Sequence, residues 1–183
     1  ADAMCSAYAG GSAESAARII FKVAQACGIN PQVLIVMLEK EQGLVRHTSP
    51  SALRYRSAMG QGCPDDAACD SEYFGLFNQI HGAAWQLKRY GNPPGTSNYF
   101  TWFAPGKTWN VRFNPSASCG SAPVTIKNNA TAALSYYTPY QPNAAALQAG
   151  YGSGDNCSAY GNRNFYQLFT DWFGSTQAVA PSA

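Results

Sequence analysis

The sequence predicts a mainly α single domain with long, disulfide-braced loops and at most a small β-hairpin. Apolar residues recur at helical spacing in several separate segments, and six cysteines are present without metal-ligand spacing. Charged residues make up 12% of the 183 residues, about half the usual share of roughly 25%. With 13% aromatic residues, this composition excludes a disordered chain and indicates a rigid domain with aromatic surfaces.

The first two helices have clear boundary signals. A helix is predicted over 12–27, capped by Ser12, with its apolar residues on one face. A second helix is predicted over 31–44, where Asn30 is the cap and Pro31 occupies the first turn.

Later segments alternate between loops and shorter helices. Segment 45–72 is rich in Gly, Pro, Asp and Ser, and helical spacing returns over 79–90. Segment 95–122 is a long loop with room for a hairpin. The last helices are predicted over 126–137, 143–148 and 164–173. We therefore expect one domain over 1–174 and a flexible tail over 175–183.

The six cysteines favour three disulfides and an oxidising compartment. Cys63–Cys69 is the best-supported pair because it closes a short loop, and Cys5–Cys27 and Cys119–Cys157 would follow as sequential pairs. Other pairings stay open. The first residues are compatible with the end left by a cleaved export signal, so we expect a secreted, extracellular protein.

Charge and hydropathy exclude two classes of partner. The net charge is +2 without a cluster of Lys and Arg, so no nucleic-acid interface is predicted. No stretch reaches about 20 apolar residues, so no membrane insertion is predicted.

The second helix carries the best candidate for chemistry. At helical spacing Leu34, Met37, Leu38 and Glu41 form one stripe, whereas Glu39 lies on another face and is expected to reach solvent. A carboxyl group at the edge of an apolar stripe, near the negative end of a helix, is expected to keep its proton, as the general acid of a glycosidase must. The alternative is a glutamate that simply ends an amphipathic helix in water.

Three short runs resemble the superfamily of goose-type lysozymes and soluble lytic transglycosylases. Residues 38–44, Leu-Glu-Lys-Glu-Gln-Gly-Leu, are similar to its Glu-Ser-Gly segment, and residues 73–80, Tyr-Phe-Gly-Leu-Phe-Asn-Gln-Ile, to its Gly-Leu-Met-Gln segment. Residues 132–137, Ala-Ala-Leu-Ser-Tyr-Tyr, resemble the late helix that bears a cleft tyrosine. The chain also resembles secreted actinobacterial proteins that carry the first two runs. The resemblance covers about 12–140 and implies a lysozyme-like fold.

The resemblance also implies roles for individual residues. Glu41 corresponds to the superfamily's acid, Gln79 to its cleft glutamine, and Tyr136 or Tyr137 to its tyrosine. One departure is that Gln42 stands where the superfamily has serine.

The sequence offers two candidates for the second carboxylate. Goose-type enzymes have an aspartate just after the Gly-Leu-Met-Gln segment, where this chain has Ile80 and His81. Asp65 and Asp70, in or beside the Cys63–Cys69 loop, are the favoured replacements, and the alternative is that they are solvated loop acids. A carboxylate that holds water opposite the acid implies hydrolysis with inversion. Without such a carboxylate, the N-acetyl or 6-hydroxyl group of the sugar can act as the nucleophile in place of water, which gives a transglycosylase.

Three further side chains are candidates for substrate binding. Arg54 is suited either to a substrate carboxylate or to bracing the acidic loop. Tyr73 and Trp102 offer faces on which sugars stack, and packing in the core is the alternative for each.

Together these features predict a muramidase that hydrolyses β-1,4 bonds of peptidoglycan. We expect it to be a monomer that needs no metal and no cofactor. The alternatives are a lytic transglycosylase, a chitinase-type glycosidase, or a carbohydrate-binding or agglutinating module without catalysis.

Overall fold

A computed structural model describes residues 1–64 and 67–177. In these residues the chain is mostly helical with one two-stranded antiparallel sheet, which confirms the mainly α class and the hairpin. The elements are α1 (Ala16–Cys27), α2 (Pro31–Gln42), α3 (Ala52–Arg56), α4 (Leu76–Arg89), β1 (Lys107–Arg112), β2 (Ser121–Ile126), α5 (Asn129–Tyr137), α6 (Ala144–Gln148) and α7 (Gly161–Phe173). Short 3₁₀ helices occupy Ser71–Tyr73 and Ala117–Cys119.

The chain divides into two compact units, unit 1 (Ala1–Thr101) and unit 2 (Trp102–Ala183). The prediction of one domain over 1–174 stays a prediction, and most of the predicted tail, 178–183, lies outside the described residues.

The start of α1 differs from the prediction. Its cap is Ser15, whose hydroxyl accepts from the backbone N–H of Arg18, so the start predicted at Ser12 is wrong. The residues before it form a turn, in which the Glu14 carboxylate accepts from the N–H of Gly11 at 3.1 Å. Ser12 and Ala13 belong to this turn and therefore lie outside the helix.

Unit 1 is built around α2. Asn30 caps this helix and Pro31 occupies its first turn, as predicted. α1 packs against both α2 and α4. Besides Leu34, Met37 and Leu38 of the predicted stripe, Val36 and Glu39 of α2 are buried, so the helix is covered on several sides and belongs to the core of unit 1.

Unit 2 contains the hairpin and the last three helices. β1 pairs with β2 in the register Trp109↔Val124 and Val111↔Ala122. Phe103, Val111, Ile126 and Ala132 form a buried cluster beside this sheet. Asn162, in the first turn of α7, donates from its amide to two carbonyls just after α5, so α7 begins three residues earlier than predicted.

All six cysteines are paired as the sequence favoured: Cys5–Cys27, Cys63–Cys69 and Cys119–Cys157. Three disulfides fit folding in an oxidising compartment. Within 1–64 and 67–177, no helix has the length and apolar character needed to cross a membrane.

Candidate functional site

Glu41 lies in the last turn of α2, where the chain reverses. Gly43 follows in the left-handed conformation (φ 65°) and donates its N–H to the Glu39 carbonyl at 2.8 Å, a turn that favours glycine. The Glu41 side chain is 26% exposed. It is therefore partly buried, yet accessible to a ligand.

Two neighbours define the surroundings of the Glu41 carboxylate. Its Oε1 lies 2.7 Å from Nζ of Lys40, whose side chain is 8% exposed. Its Oε2 faces Gly60, where a Cβ atom would lie 3.7 Å away. Sequence reasoning missed Lys40 and Gly60. The Gly-Gln-Gly run over 60–62 was the available signal, because clustered glycines often mark close approaches of the backbone.

Gln79 fixes the Gly60 turn beside Glu41. Its Oε1 accepts from the N–H groups of Met59 (2.9 Å) and Gln61 (3.1 Å), and its Nε2 donates to the carbonyls of Gln61 (2.7 Å) and Tyr73 (2.8 Å). The side chain is fully buried. These four bonds use its two acceptor and two donor sites, so Gln79 contributes to the site by positioning the turn. Direct binding of sugar by Gln79 stays a prediction.

Tyr73 packs where two glycines leave space for it. A Cβ atom on Gly62 would collide with its ring, and one on Gly82 would lie 3.0 Å from its Cδ1 atom. The ring is half-buried. Its position beside the residues that Gln79 fixes places it near the Gly60 turn, and its stacking on a sugar stays a prediction.

Arg54 is bound to the end of α2. Its Nη1 donates to the carbonyl of Gln42, and it lies 3.6 Å from the position of a Cβ on Gly43. A cation at the C-terminus of a helix satisfies a free carbonyl and the negative end of the dipole. The guanidinium therefore stabilises the turn that carries Glu41, and substrate binding by Arg54 stays a prediction.

Glu39 contradicts the expectation that it reaches solvent. It is 8% exposed, and its carboxylate accepts from the backbone N–H groups of Val45 and Arg46, both at 3.1 Å, and from the Arg46 Nε at 2.6 Å. The expectation was wrong because α2 is covered on several sides and the chain returns over Glu39 after the turn. Glu39 is thus a structural acid and Glu41 the accessible one.

The two predicted water-holding acids lie in or beside the Cys63–Cys69 loop. Asp65 is outside the described residues. Asp70 is exposed and caps the 3₁₀ helix Ser71–Tyr73 by accepting from the N–H of Glu72 at 2.9 Å. Its role in holding water stays a prediction.

One group of potential metal ligands occurs in the described residues, formed by Cys5, Cys27 and His81. The two sulfur atoms are bonded to each other, so they are not thiolates and do not suit a metal. Burial lowers the pKa of His81, and its ring stacks on Phe77 with centroids 5.5 Å apart. This histidine belongs to the packing of unit 1.

The remaining candidates belong to unit 2. The Tyr136 hydroxyl donates to the carbonyl of Trp102, and burial raises the pKa of Tyr136. Tyr137 is half-buried at the end of α5. Trp102 is 61% exposed. That these residues share a cleft with Glu41 stays a prediction.

Comparison with known proteins gives one family. A family model described as "LasA, N-terminal domain" matches residues 3–182. No curated protein and no solved structure matches the chain.

Proposed function

The chain belongs to the LasA N-terminal domain family, and we propose that it is a secreted muramidase with a lysozyme-like fold that cleaves β-1,4 bonds of peptidoglycan. The observation that carries the proposal is the position of Glu41. Its carboxyl group is partly buried at the end of a central helix and faces a glycine turn that Gln79 fixes. This environment can shield a carboxyl group and still admit a sugar oxygen.

In the proposed reaction Glu41 gives its proton to the glycosidic oxygen as the bond to the anomeric carbon breaks. A water molecule held by Asp65 or Asp70 attacks that carbon from the opposite face, and the carboxylate takes up the proton that water loses. Inverting enzymes separate the two carboxyl groups by about 6.5–9.5 Å. Where no acid holds water, the 6-hydroxyl group of the sugar attacks the anomeric carbon and gives its proton to the Glu41 carboxylate, and a 1,6-anhydro product results.

Three other candidate residues of unit 1 support this site in the proposal. Arg54 stabilises the turn after Glu41, and Gln79 and Tyr73 maintain the Gly60 turn. The three disulfides support secretion, since peptidoglycan lies outside the cytoplasm and such bonds persist in oxidising compartments.

One observation favours a second candidate, a glycan-binding or agglutinating protein without catalysis. Glu41 is ion-paired with Lys40 at 2.7 Å, and a general acid has to leave such a pair before it protonates a glycosidic oxygen. A permanent ion pair would make Glu41 part of a binding surface only.

Replacement of Glu41 by glutamine separates the two candidates. Glu41→Gln keeps the shape of the side chain and removes the transferable proton, so we expect turbidity loss of peptidoglycan suspensions to slow by about 10²–10⁴-fold while binding to the wall persists. Asp171→Asn, an exposed acid of unit 2, is the control and should lyse like the parent. A parent protein that binds peptidoglycan without lysing it would support the second candidate and refute the muramidase.

A further inference from the structure

Unit 2 presents one tryptophan ring outward on an aromatic support. The Trp102 side chain is 61% exposed, and its ring packs on that of Trp109 with centroids 5.2 Å apart and planes tilted by 36°. We propose that the outer face of Trp102 is a stacking platform for one pyranose ring of a β-1,4-linked N-acetylhexosamine glycan. This proposal deepens the proposed function, on which the choice of glycan rests.

The backbone beside Trp102 is held in a costly conformation. Phe103 has φ 55°, in the left-handed region that bulky residues rarely adopt, and strain of this kind often accompanies functional positions. The conformation buries Phe103, which is 7% exposed, while its neighbour Trp102 points outward. Burial of one aromatic ring thus accompanies the exposure of the next.

Two aromatic side chains hold this turn in place. The Tyr136 hydroxyl donates to the carbonyl of Trp102, and the Trp109 Nε1–H donates to the carbonyl of Ala104 at 3.2 Å. Tyr136 also packs edge-on against Phe103, with centroids 5.3 Å apart. The platform is therefore preorganised, so that little freedom is lost when a ligand stacks on it.

The area of the platform favours a small ring over a protein partner. A tryptophan side chain has at most about 250 Å² of surface, and a stable protein interface needs about 800 Å² from each partner. One indole face matches the size of one pyranose ring, whose C–H groups form an apolar face.

The local charge favours an uncharged ligand. Residues 98–106, which surround Trp102 in the sequence, contain no charged side chain, and the first charged residue after them is Lys107 at the start of β1. An N-acetylhexosamine has no charge to neutralise, whereas the stem peptide of peptidoglycan carries several carboxylates, which a single lysine does not match. We therefore assign the glycan strand to the platform.

Binding is tested with the full chain carrying Glu41→Gln, which keeps the polymer intact. Chitin oligosaccharide is titrated while tryptophan fluorescence is recorded, and retention on insoluble peptidoglycan is measured in parallel. In this background we expect Trp102→Ala to raise the Kd for chitin oligosaccharide about ten-fold and to remove most of the fluorescence change. Trp102→Phe keeps a ring and should recover part of the affinity.

Tyr166→Ala is the matched control, because Tyr166 is an aromatic residue of the same unit with 59% exposure. It should bind like the parent. Unchanged binding in Trp102→Ala, an equal loss in Tyr166→Ala, or binding to stem-peptide fragments with none to the oligosaccharide would each overturn the platform. These results do not depend on lysis: a parent protein that binds glycan through Trp102 without cleaving it refutes the muramidase and supports the platform.

Discussion

Replacement of Gln79 by methionine tests whether one buried amide maintains the candidate site. Methionine has nearly the same length and fits the same space, but it can neither donate nor accept the four hydrogen bonds that Gln79 makes. The change therefore removes hydrogen bonding while it preserves most of the packing.

The expected loss follows from the groups left without partners. Four backbone groups lose their hydrogen-bond partner in Gln79→Met. They are the N–H groups of Met59 and Gln61 and the carbonyls of Gln61 and Tyr73. Each orphaned buried group costs about 1–3 kcal/mol. The turn at Gly60 can open to let water reach some of these groups, so we expect a total loss of about 4 kcal/mol. That is a large part of the roughly 5–15 kcal/mol by which domains are stable.

Urea unfolding, followed by circular dichroism, measures this loss as a change in the free energy of unfolding. Gln86→Met is the matched control, because Gln86 lies on the same helix and its side chain makes no hydrogen bond within the described residues. It should cost less than about 1 kcal/mol. Equal losses for Gln79→Met and Gln86→Met would refute the positioning role of Gln79.

Two further predictions concern stability. Hydrogen bonds from Lys22 and Tyr8 lower the pKa of Glu14 to about 2 from 4.5, so its stabilisation is complete above about pH 4.5 and is lost as the pH falls towards 2. Unfolding measured across this range should show a larger loss in the parent than in Glu14→Gln, in which Asp2 and Asp155, whose pKa values are also lowered by hydrogen bonds, still contribute. The same slope in both proteins would contradict the prediction. Replacement of both cysteines by alanine should cost about 4 kcal/mol for Cys119–Cys157, which are 38 residues apart, and about 2 kcal/mol for Cys63–Cys69, which are 6 apart. Equal losses measured by urea unfolding would contradict the loop-length argument.

Local signals predicted much of the secondary structure. The Asn30-Pro31 pair marked the start of α2, and the space left for a hairpin in 95–122 was filled by β1 and the start of β2. Ser12 and Ser15 offer the same capping chemistry, and the choice between them depends on the contact between Glu14 and Gly11. Sequence spacing contains no information on that contact.

The candidate site was harder to predict because its side chains bind backbone groups that lie several to many residues away in the chain. Helical spacing separated Glu39 from Glu41 but could not show that the backbone N–H groups of Val45 and Arg46 return to cover Glu39. Likewise, Gln79 binds groups that lie 18 and 20 residues earlier. Such contacts arise from tertiary packing, which periodicity alone does not specify.

We propose that Glu41 donates the proton that allows the glycosidic bond to break. Digestion of purified peptidoglycan in heavy-oxygen water, followed by mass spectrometry of the fragments, tests it most directly. We predict that the parent protein releases fragments whose new reducing ends contain heavy oxygen, and that Glu41→Gln releases almost none. New ends formed at the same rate by Glu41→Gln, or a parent protein that forms neither heavy-oxygen ends nor 1,6-anhydro ends, would contradict the proposal.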